Sequence, residues 1–390
     1  MKTKGLKGKS EMYYLEHTLD RIEGEQKELA LQVMLEPDAF EAKLRYARWY
    51  KEHAAADDSL LADIASQLKV FYPDIEDDKK SRLTADMTAS NMLYGVSPLE
   101  FLQFRFEEKT DAARNTYMTD AEKFIIFRQF YDYSQYEYVR NKWLQYSRLK
   151  EFFARDCARC EEPDSEADRK AFAEFVEKHP VFIFKPTRMA CGEGVRVVDS
   201  AGADARRLYD ELAGETKGGI ADERIEQDER AAVFHPGSVN TVRIVGVRDP
   251  KEHKSYFTQA LFRIGRGAEI IDNYQGAVRA RIDDKSGVVY TVGADGYGNK
   301  FVFHPDSGEK IVGFQIPEWS GLIETADRAM QVMESYARYI GFDFALTDNG
   351  WKIVEVNPYP QIYLQQVAAN EGSRPEMCRL ASLCADTGPG

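Results

Sequence analysis

Residues Gly341-Phe-Asp-Phe-Ala-Leu-Thr-Asp-Asn-Gly-Trp-Lys-Ile-Val-Glu-Val-Asn-Pro358 read as two short strands joined by a tight turn. Phe342, Phe344 and Leu346 alternate along the first strand, and Trp351, Ile353 and Val354 lie on the return. Asp348-Asn349-Gly350 is the hairpin signal, because Asn-Gly supplies the positive φ that a tight turn needs. Side chains two apart share a strand face, so Glu355 and Asn357 point the same way, and Asp343 can reach that face from the partner strand. Two carboxylates and an amide oxygen converging at a sheet end suit a hard divalent cation, Mg²⁺ above all when phosphates complete its shell. The alternative is an ordinary hairpin whose acidic residues are solvated.

Composition sets the frame around this hairpin. A chain of 390 residues predicts two or three domains rather than one core. Hydrophobic residues at 43% and charged residues at 30% describe a soluble globular protein. The net charge of −13 argues against a nucleic-acid binder acting through bulk electrostatics, which needs a basic face. Cys157-Ala-Arg-Cys160 has the spacing of half a zinc site or a redox pair, but no second Cys/His pair follows, so reduced thiols are expected. Met1-Lys-Thr-Lys-Gly-Leu-Lys-Gly-Lys9 leads into no apolar run, and no stretch has the length of a membrane span. A cytoplasmic location is the expectation.

From Ser10 to about Leu83 the pattern is helical and charged; Phe40, Leu44, Ala47 and Tyr50, then Leu60, Ile64 and Leu68, recur at helical steps. No reactive constellation occurs there, and these helices are a candidate protein-partner surface. Ser97-Pro98 and Thr119-Asp-Ala-Glu122 read as helix starts. After another helix, Asp164 to Lys178, strands dominate: Val181 to Phe184, Gly194 to Val198, Ala231 to Phe234, Asn240 to Val247, Tyr256 to Ile264 and Val288 to Gly293. A late helix is expected over Thr325 to Ile340, and Asp386 to Gly390 as a frayed tail.

Three stretches carry chemistry. Lys185 leaves an apolar strand just before the glycine loop Cys191-Gly192-Glu193-Gly194, an arrangement that can neutralise and enclose phosphate groups; a simple strand turn is the alternative. Asp222-Glu-Arg-Ile-Glu226-Gln227 could receive a nucleotide base at a crossing between subdomains, or be a charged surface connection. In His235-Pro-Gly-Ser-Val-Asn240-Thr241-Val-Arg243, Asn240 and Thr241 precede a strand from which Arg243 projects, suited to bidentate contact with phosphate or carboxylate; Arg263 on the next strand can join it. A surface ion pair is the bland reading of Arg243, and an Asx-turn that of Asp272. His235 and His304, each before a proline, read as turn residues rather than bases.

Taken in order from about Tyr94 to Pro360, these strings resemble the ATP-grasp superfamily, and within it the sugar-transfer-associated branch related to α-L-glutamate ligases. The strings that carry the branch resemblance are His235 to Arg243, Arg263-Ile-Gly-Arg266 with Asp272-Asn273, and His304-Pro-Asp-Ser-Gly308 leading to Ile316-Pro-Glu-Trp319; Gly341-Phe-Asp343 with Glu355-Val-Asn357-Pro is shared across the superfamily. The resemblance implies an α+β ATP-grasp fold, two subdomains gripping ATP, preceded by a mostly helical region. Its divisions would be 1–93 helical, 94–160 a helical lead-in, 161–225 the lysine and glycine-loop subdomain, 226–372 the metal-bearing subdomain, and 373–390 a tail. It implies nucleotide contacts for Lys142, Lys185, Gly192, Glu193, Gly194, Glu226 and Gln227. Asp343, Glu355 and Asn357 would bind Mg²⁺, with two ions expected, and Arg243, Arg263 and Asn240 would serve the reacting groups. Asn141-Lys142 departs from the more usual Asp-Lys, and Gln275-Gly276-Ala277 departs from a glycine run, which bears on the acceptor site. The implied activity is an ADP-forming carboxylate–amine ligase working through an acyl-phosphate, with small-molecule or glycan substrates. A hydroxyl-directed phosphotransferase and a nucleotide-binding scaffold are the alternatives.

Overall fold

The computed structural model describes residues 18–54, 58–187, 189, 193–215, 218–267 and 276–385. Cys191, Gly192, the 268–275 segment with Asp272 and Asn273, the basic opening and the 386–390 tail lie outside the described residues. The described architecture is α+β, as expected, and the chain divides into two compact units.

One unit is helical and joins residues 1–129 with 361–383 and the short 296–298 segment. Helices Phe40–His53, Leu60–Phe71 and Asp77–Tyr94 bury Tyr46, Ile64, Leu68, Met87 and Leu93 in one core. Ser97 caps the helix Pro98–Gln103 through a full capping box with Glu100, and Glu100 Oε1 also accepts the Asp120 N–H at 2.9 Å, tying two helix starts together. The expectation of a tail over 373–390 is corrected: Arg374–Cys384 is a helix with Met377 and Leu380 buried, and Arg374 Nε donates to Glu122 at 2.9 Å. The helical core runs past residue 93 into the lead-in, through Phe101, Phe104, Phe106 and Tyr117.

A buried ionic centre organises this unit. Asp86 accepts Lys43 Nζ at 2.6 Å and both terminal nitrogens of Arg114 at 2.7 Å, and Arg114 also donates to the Phe106 carbonyl. Burial alone would raise the Asp86 pKa, but Arg114 and Lys43 together hold it below the usual carboxylate range.

The other unit holds two antiparallel sheets. The first has the order β1-β4-β2-β3, with β1 Cys157–Cys160, β2 Val181–Pro186, β3 Arg196–Asp199 and β4 Gly219–Glu223. Phe182 and Phe184 pack against Phe172 and Phe175 of the helix Glu166–Lys178, and against Tyr209. Cys157 and Cys160 are free thiols whose pKa values burial pushes up, which suits structural rather than redox cysteines.

The second sheet has seven strands in the order β11-β10-β5-β6-β7-β8-β9: β5 Thr241–Asp249, β6 Lys254–Ile264, β7 Val278–Arg281, β8 Gly293–Ala294, β9 Lys300–Phe301, β10 Tyr339–Thr347 and β11 Gly350–Pro358. The late helix is Trp319–Met333, not Thr325 to Ile340: Tyr339 and Ile340 join β10, where Tyr339 pairs with Val247 and Ile340 with Gly246. Ala231 to Phe234 is not a strand; Asp228 caps a short helix Glu229–Ala232 there. Val288 and Val289 make isolated bridges, and only Gly293–Ala294 forms a strand. In the β10–β11 hairpin the positive φ falls on Gly350, at 85°, and not on Asn349, so the glycine follows the turn as an αL residue.

Replacing Asp86 with Asn leaves Lys43 and Arg114, 5% and 4% exposed, without their buried counter-charge. The expected cost is about 3–5 kcal/mol, read as a lower urea midpoint. The Asp86 pKa is depressed in the fold, so its stabilisation is present above the unfolded carboxylate value of about 4 and is lost as pH falls through the lower folded value. Asp86→Asn should therefore flatten part of the acid dependence of stability, and an unchanged slope and midpoint would remove the ionic centre's role.

Candidate functional site

Strand register brings the predicted residues of the hairpin onto one sheet face. Asp343 is paired with Glu355 on one side and Arg243 on the other, and Gly341 with Asn357. Arg263 lies opposite Thr241, two residues from Arg243, so it shares that face. The opposite face of the same strands carries Val242, Ile244, Phe262, Phe342 and Phe344, all buried, and the helix Trp319–Met333 packs on this sheet. Gly246 packs closely there, since a Cβ would lie 3.0 Å from the Met330 sulfur and 3.1 Å from the Phe257 ring.

Asp343 is 3% exposed. Arg243 reaches it in a fork, Nε to Oδ1 at 2.5 Å and Nη2 to Oδ2 at 2.6 Å, while Arg263 Nη1 and Asn357 Nδ2 approach Oδ2 at 3.0 and 3.3 Å. Burial would raise its pKa, but the two guanidinium charges hold it at about 2. Oδ2 thus takes three donors and Oδ1 one, which leaves Oδ1 an acceptor position. Glu355 is the accessible carboxylate, with its side chain 33% exposed and 3.4 Å from Lys142 Nζ. Among the described residues no cluster of three His, Cys, Asp or Glu side chains is poised to hold a metal. The oxygen set that fits a hard cation is Glu355, the Asn357 amide oxygen and Asp343 Oδ1.

Lys142 and Lys185 meet beside this face. With Asp222, Val354 and Glu355 they line one narrow cleft. Lys142 starts the helix Lys142–Phe153, capped by Asn141, and its Nζ donates to the Met189 carbonyl at 2.6 Å. Lys185 Nζ donates to Asp222 Oδ2 at 2.6 Å. Asp222 is also gripped by Arg155, Nε at 2.7 Å and Nη2 at 2.8 Å. A register shift at Asp343/Phe344 bulges β11 next to Val354, and carbonyls there are taken by side chains: Arg155 Nη1 on Ile353 O at 2.5 Å, Lys185 Nζ on Val354 O at 3.4 Å.

Other predicted residues are occupied elsewhere. Gln227 donates to the carbonyls of His235 and Ser238 at 3.1 and 2.6 Å and accepts the Asn240 N–H at 3.0 Å, so its amide braces the 235–240 loop. Asn240 donates to Ala231 O and His235 O and accepts from Gly265 N, so its side chain meets backbone groups here. His235 and His304 each use both ring nitrogens in the same loop cluster. Glu226 lines a different cavity of about 540 Å³ with Glu223, Arg224, His179 and the turn at Asp348 and Asn349. Arg155 borders that cavity and Asp222 the lysine cleft, so their ion pair stands between the two. Gly194 has φ 72°, and a Cβ there would meet Pro186 Cγ at 2.7 Å; Glu193 is exposed, and Gly192 lies outside the described residues.

Sequence reading overlooked Arg155, and the partnership of Asp222 with Lys185. Arg155 sits between an aromatic helix end and β1 with no motif around it; an arginine at such a junction is a weak signal that only its partners make legible. Arg279 and Arg281 were also passed over, although the alternation Val278-Arg-Ala-Arg281 marks a strand with one charged face.

Residues 123–382 match the sugar-transfer associated ATP-grasp family. No curated protein sequence matches the chain significantly. Among solved structures it is similar to ATP-grasp ligase PsnB complexed with minimal precursor, at 13% identity and TM-score 0.40, over 65% of this chain and 64% of that one. D-alanyl-alanine synthetase A from Vibrio cholerae gives 11% identity and TM-score 0.39, over 63% and 65%. The VanG D-Ala:D-Ser ligase from Enterococcus faecalis gives 13% and 0.40, over 63% and 62%. The chain thus spans less than two thirds of each of these structures. No helix among the described residues is long and apolar enough to cross a membrane.

Gln227→Ala separates the bracing role from a nucleotide role. Loss of its amide removes the partner of the Asn240 N–H and the Ser238 carbonyl, and stability should fall by about 1–3 kcal/mol with nucleotide affinity unchanged. Calorimetric nucleotide titration alongside urea unfolding reads both; full stability with weakened nucleotide binding would return Gln227 to the hinge role.

Proposed function

The chain belongs to the sugar-transfer associated ATP-grasp family, and from that premise we propose that it is an ATP-dependent ligase joining a carboxylate to an amine through an acyl-phosphate. The observation that carries this reading is the convergence of Asp343, Glu355, Asn357, Arg243 and Arg263 on one sheet face, with the Lys142/Lys185 cleft beside Glu355.

In the first step a substrate carboxylate oxygen attacks the γ-phosphorus of ATP, and the bond to the β-phosphate oxygen breaks with release of ADP. In the second, an amine nitrogen attacks the acyl carbon, phosphate leaves, and the nitrogen gives up a proton. Lys142 and Lys185 place two ammonium charges where phosphate oxygens can lie, and Lys185 trades its contact with Asp222 for a share of that charge. Arg243 and Arg263 present fixed donors to the transferred phosphate, and their pairing with Asp343 keeps them oriented without a reorganisation step. Glu355, Asn357 and Asp343 Oδ1 would hold Mg²⁺, two ions being the expected complement. When bound, it supplies charge neutralisation across the phosphates. Catalysis on this reading is positioning and electrostatics, with no covalent enzyme nucleophile. The substrates are small molecules or glycan precursors bearing the carboxylate and the amine.

Glu355→Gln should abolish Mg²⁺-dependent ADP release, by at least about 100-fold, while the unfolding midpoint stays near that of the wild type. Mass spectrometry of reactions run with carboxylate and amine panels decides the chemistry. A product lighter by one water than its two parts establishes the ligase. A product heavier by a phosphate on a hydroxyl acceptor makes it a phosphotransferase, and nucleotide binding without turnover under any acceptor leaves a scaffold.

A further inference from the structure

The chain leaving β6 is held by side chains on each backbone group of Gly265 and Gly267. The Gly265 carbonyl accepts from His304 Nε2 at 3.0 Å, and its N–H donates to Asn240 Oδ1 at 3.2 Å. The Gly267 carbonyl accepts from His235 Nε2 at 2.9 Å, and its N–H donates to Asp306 Oδ2 at 2.6 Å. Side chains from two separate stretches, one around 235–240 and one around 304–306, thus grip one short segment. Gly265 directly follows β6, and Arg263 stands two residues before it with Nη1 on Asp343. The fit is close, since a Cβ on Gly265 would lie 3.0 Å from His235 Nδ1.

A carbonyl can only accept, so in both rings Nε2 carries the hydrogen. His304 Nδ1 faces the Ser307 N–H at 3.4 Å and its hydroxyl at 3.2 Å. An N–H can only donate, so this nitrogen is bare and the ring is neutral. His235 Nδ1 instead meets the Ser238 hydroxyl at 2.8 Å, which can turn to donate or accept. The two rings therefore differ: a proton on His304 sets donor against donor, and one on His235 does not. His304 is 1% exposed, Phe234 meets it edge-on, and its ring centre lies 6.4 Å from that of His235. The charged or titratable groups facing it are His235, Asp306 and Arg266. Burial above all, with His235 and Arg266, outweighs the Gly265 carbonyl and Asp306 and holds the His304 pKa below the ordinary histidine value.

We propose that His235 and His304 are positioning residues for the reaction: as neutral donors they fix the end of β6, and with it the aim of Arg263 at the reacting groups, and a proton taken up by His304 undoes the hold. The proposal rests on the reading of Arg263 as a donor to the transferred phosphate. The fold favours neutral His304, so the hold is complete above the ordinary histidine value of about 6.5 and is lost as pH falls through the lower folded value. An imidazole suits the task because it is a rigid donor whose charge changes close to neutral pH.

The test uses the full chain with the variants His304→Gln, His304→Phe and Arg263→Lys. Nitrogen-15 NMR of labelled imidazole rings reads tautomer and titration, His304 being assigned by the resonances that His304→Gln removes. Its ring should be the neutral Nε2–H form at about pH 7.5 and take up a proton only below about pH 6.5. The Nδ1–H tautomer, or an imidazolium at neutral pH, overturns the proposal. Mg·ATP-dependent ADP release is then followed from about pH 5 to about pH 8 with the carboxylate and amine panels. Glutamine keeps a donor near the place of Nε2 but cannot titrate, so His304→Gln should hold the neutral-pH rate within about threefold and lose the acid limb of the wild type. His304→Phe, which has no donor, should cost at least about tenfold at neutral pH, and little beyond the loss already suffered by Arg263→Lys when the two are combined. An acid limb that persists in His304→Gln, or losses that simply multiply, overturns the positioning role. If His304→Phe does not fold, the acid limb of His304→Gln decides alone. Absence of turnover with every pair sinks the ligase reading, and the NMR titration, which needs no substrate, then decides whether His304 holds Gly265 as a neutral donor.

Discussion

The buried ion pair between Arg155 and Asp222 is the contact on which the larger unit depends. Asp222 belongs to β4 of the first sheet, and Arg155 also donates to the carbonyls of Ile353 and Val354 at the bulge of β11 in the second. One guanidinium therefore joins two sheets through a carboxylate and two backbone oxygens. Each partner is almost fully buried, and Arg155 without Asp222 would be an uncompensated charge. The pair also sets the chemistry beside it. Lys185 is drawn to the remaining charge on Asp222, which fixes the lysine against Val354 and next to Glu355.

The second sheet gathers most of its buried charge on one face, the exception being Arg248, which pairs with Asp327 and Glu334 on the helix side. Along β5, β6, β7 and β10 the side chains alternate between an apolar face and a face that gathers Arg243, Arg263, Arg279, Arg281 and Asp343. A strand period of two fixes the register, since a slip of one residue would turn Arg243, Arg263, Arg279 and Arg281 toward the helix-covered layer. The irregularities at Arg243/Val245 and Asp343/Phe344 occur next to the charged columns. They bend the ladder where side chains must be re-aimed, as bulges beside sites commonly do. The loop cluster of Gln227, His235, Asn240 and His304 then braces the β5 entry through backbone contacts, with Gly265 leaving room for Ser238 where a Cβ would fall 1.8 Å from its hydroxyl.

Much of this was legible in the chain. The hairpin signal and the spacing of Asp343, Glu355 and Asn357 sufficed to place them on one face, because alternation along a strand is a local property. The polar motif around Asn240 was legible only as a motif, since a polar residue there looks the same in sequence whether it faces a ligand or satisfies buried backbone. The late helix was placed six residues late at its start and seven at its end because Tyr336, Ala337 and Ile340 continue its apolar spacing, and only pairing with β5 turns Ile340 into strand. A junction arginine such as Arg155 carries no local signal at all.

What the sequence determined by itself, then, is whatever short-range chemistry decides: helix starts at Ser97 and Thr119, the alternating strands, the tight β10–β11 turn, and the acidic triad with its flanking arginine. Tertiary structure alone decided which charges are paired and which segments belong together. Residues 361–383 return to the helical core formed by the first part of the chain, Arg114 finds Asp86, and Arg155 finds Asp222. These choices turn on desolvation: a charge can be buried only where a distant partner arrives to meet it, and the distance along the chain leaves no trace in local pattern.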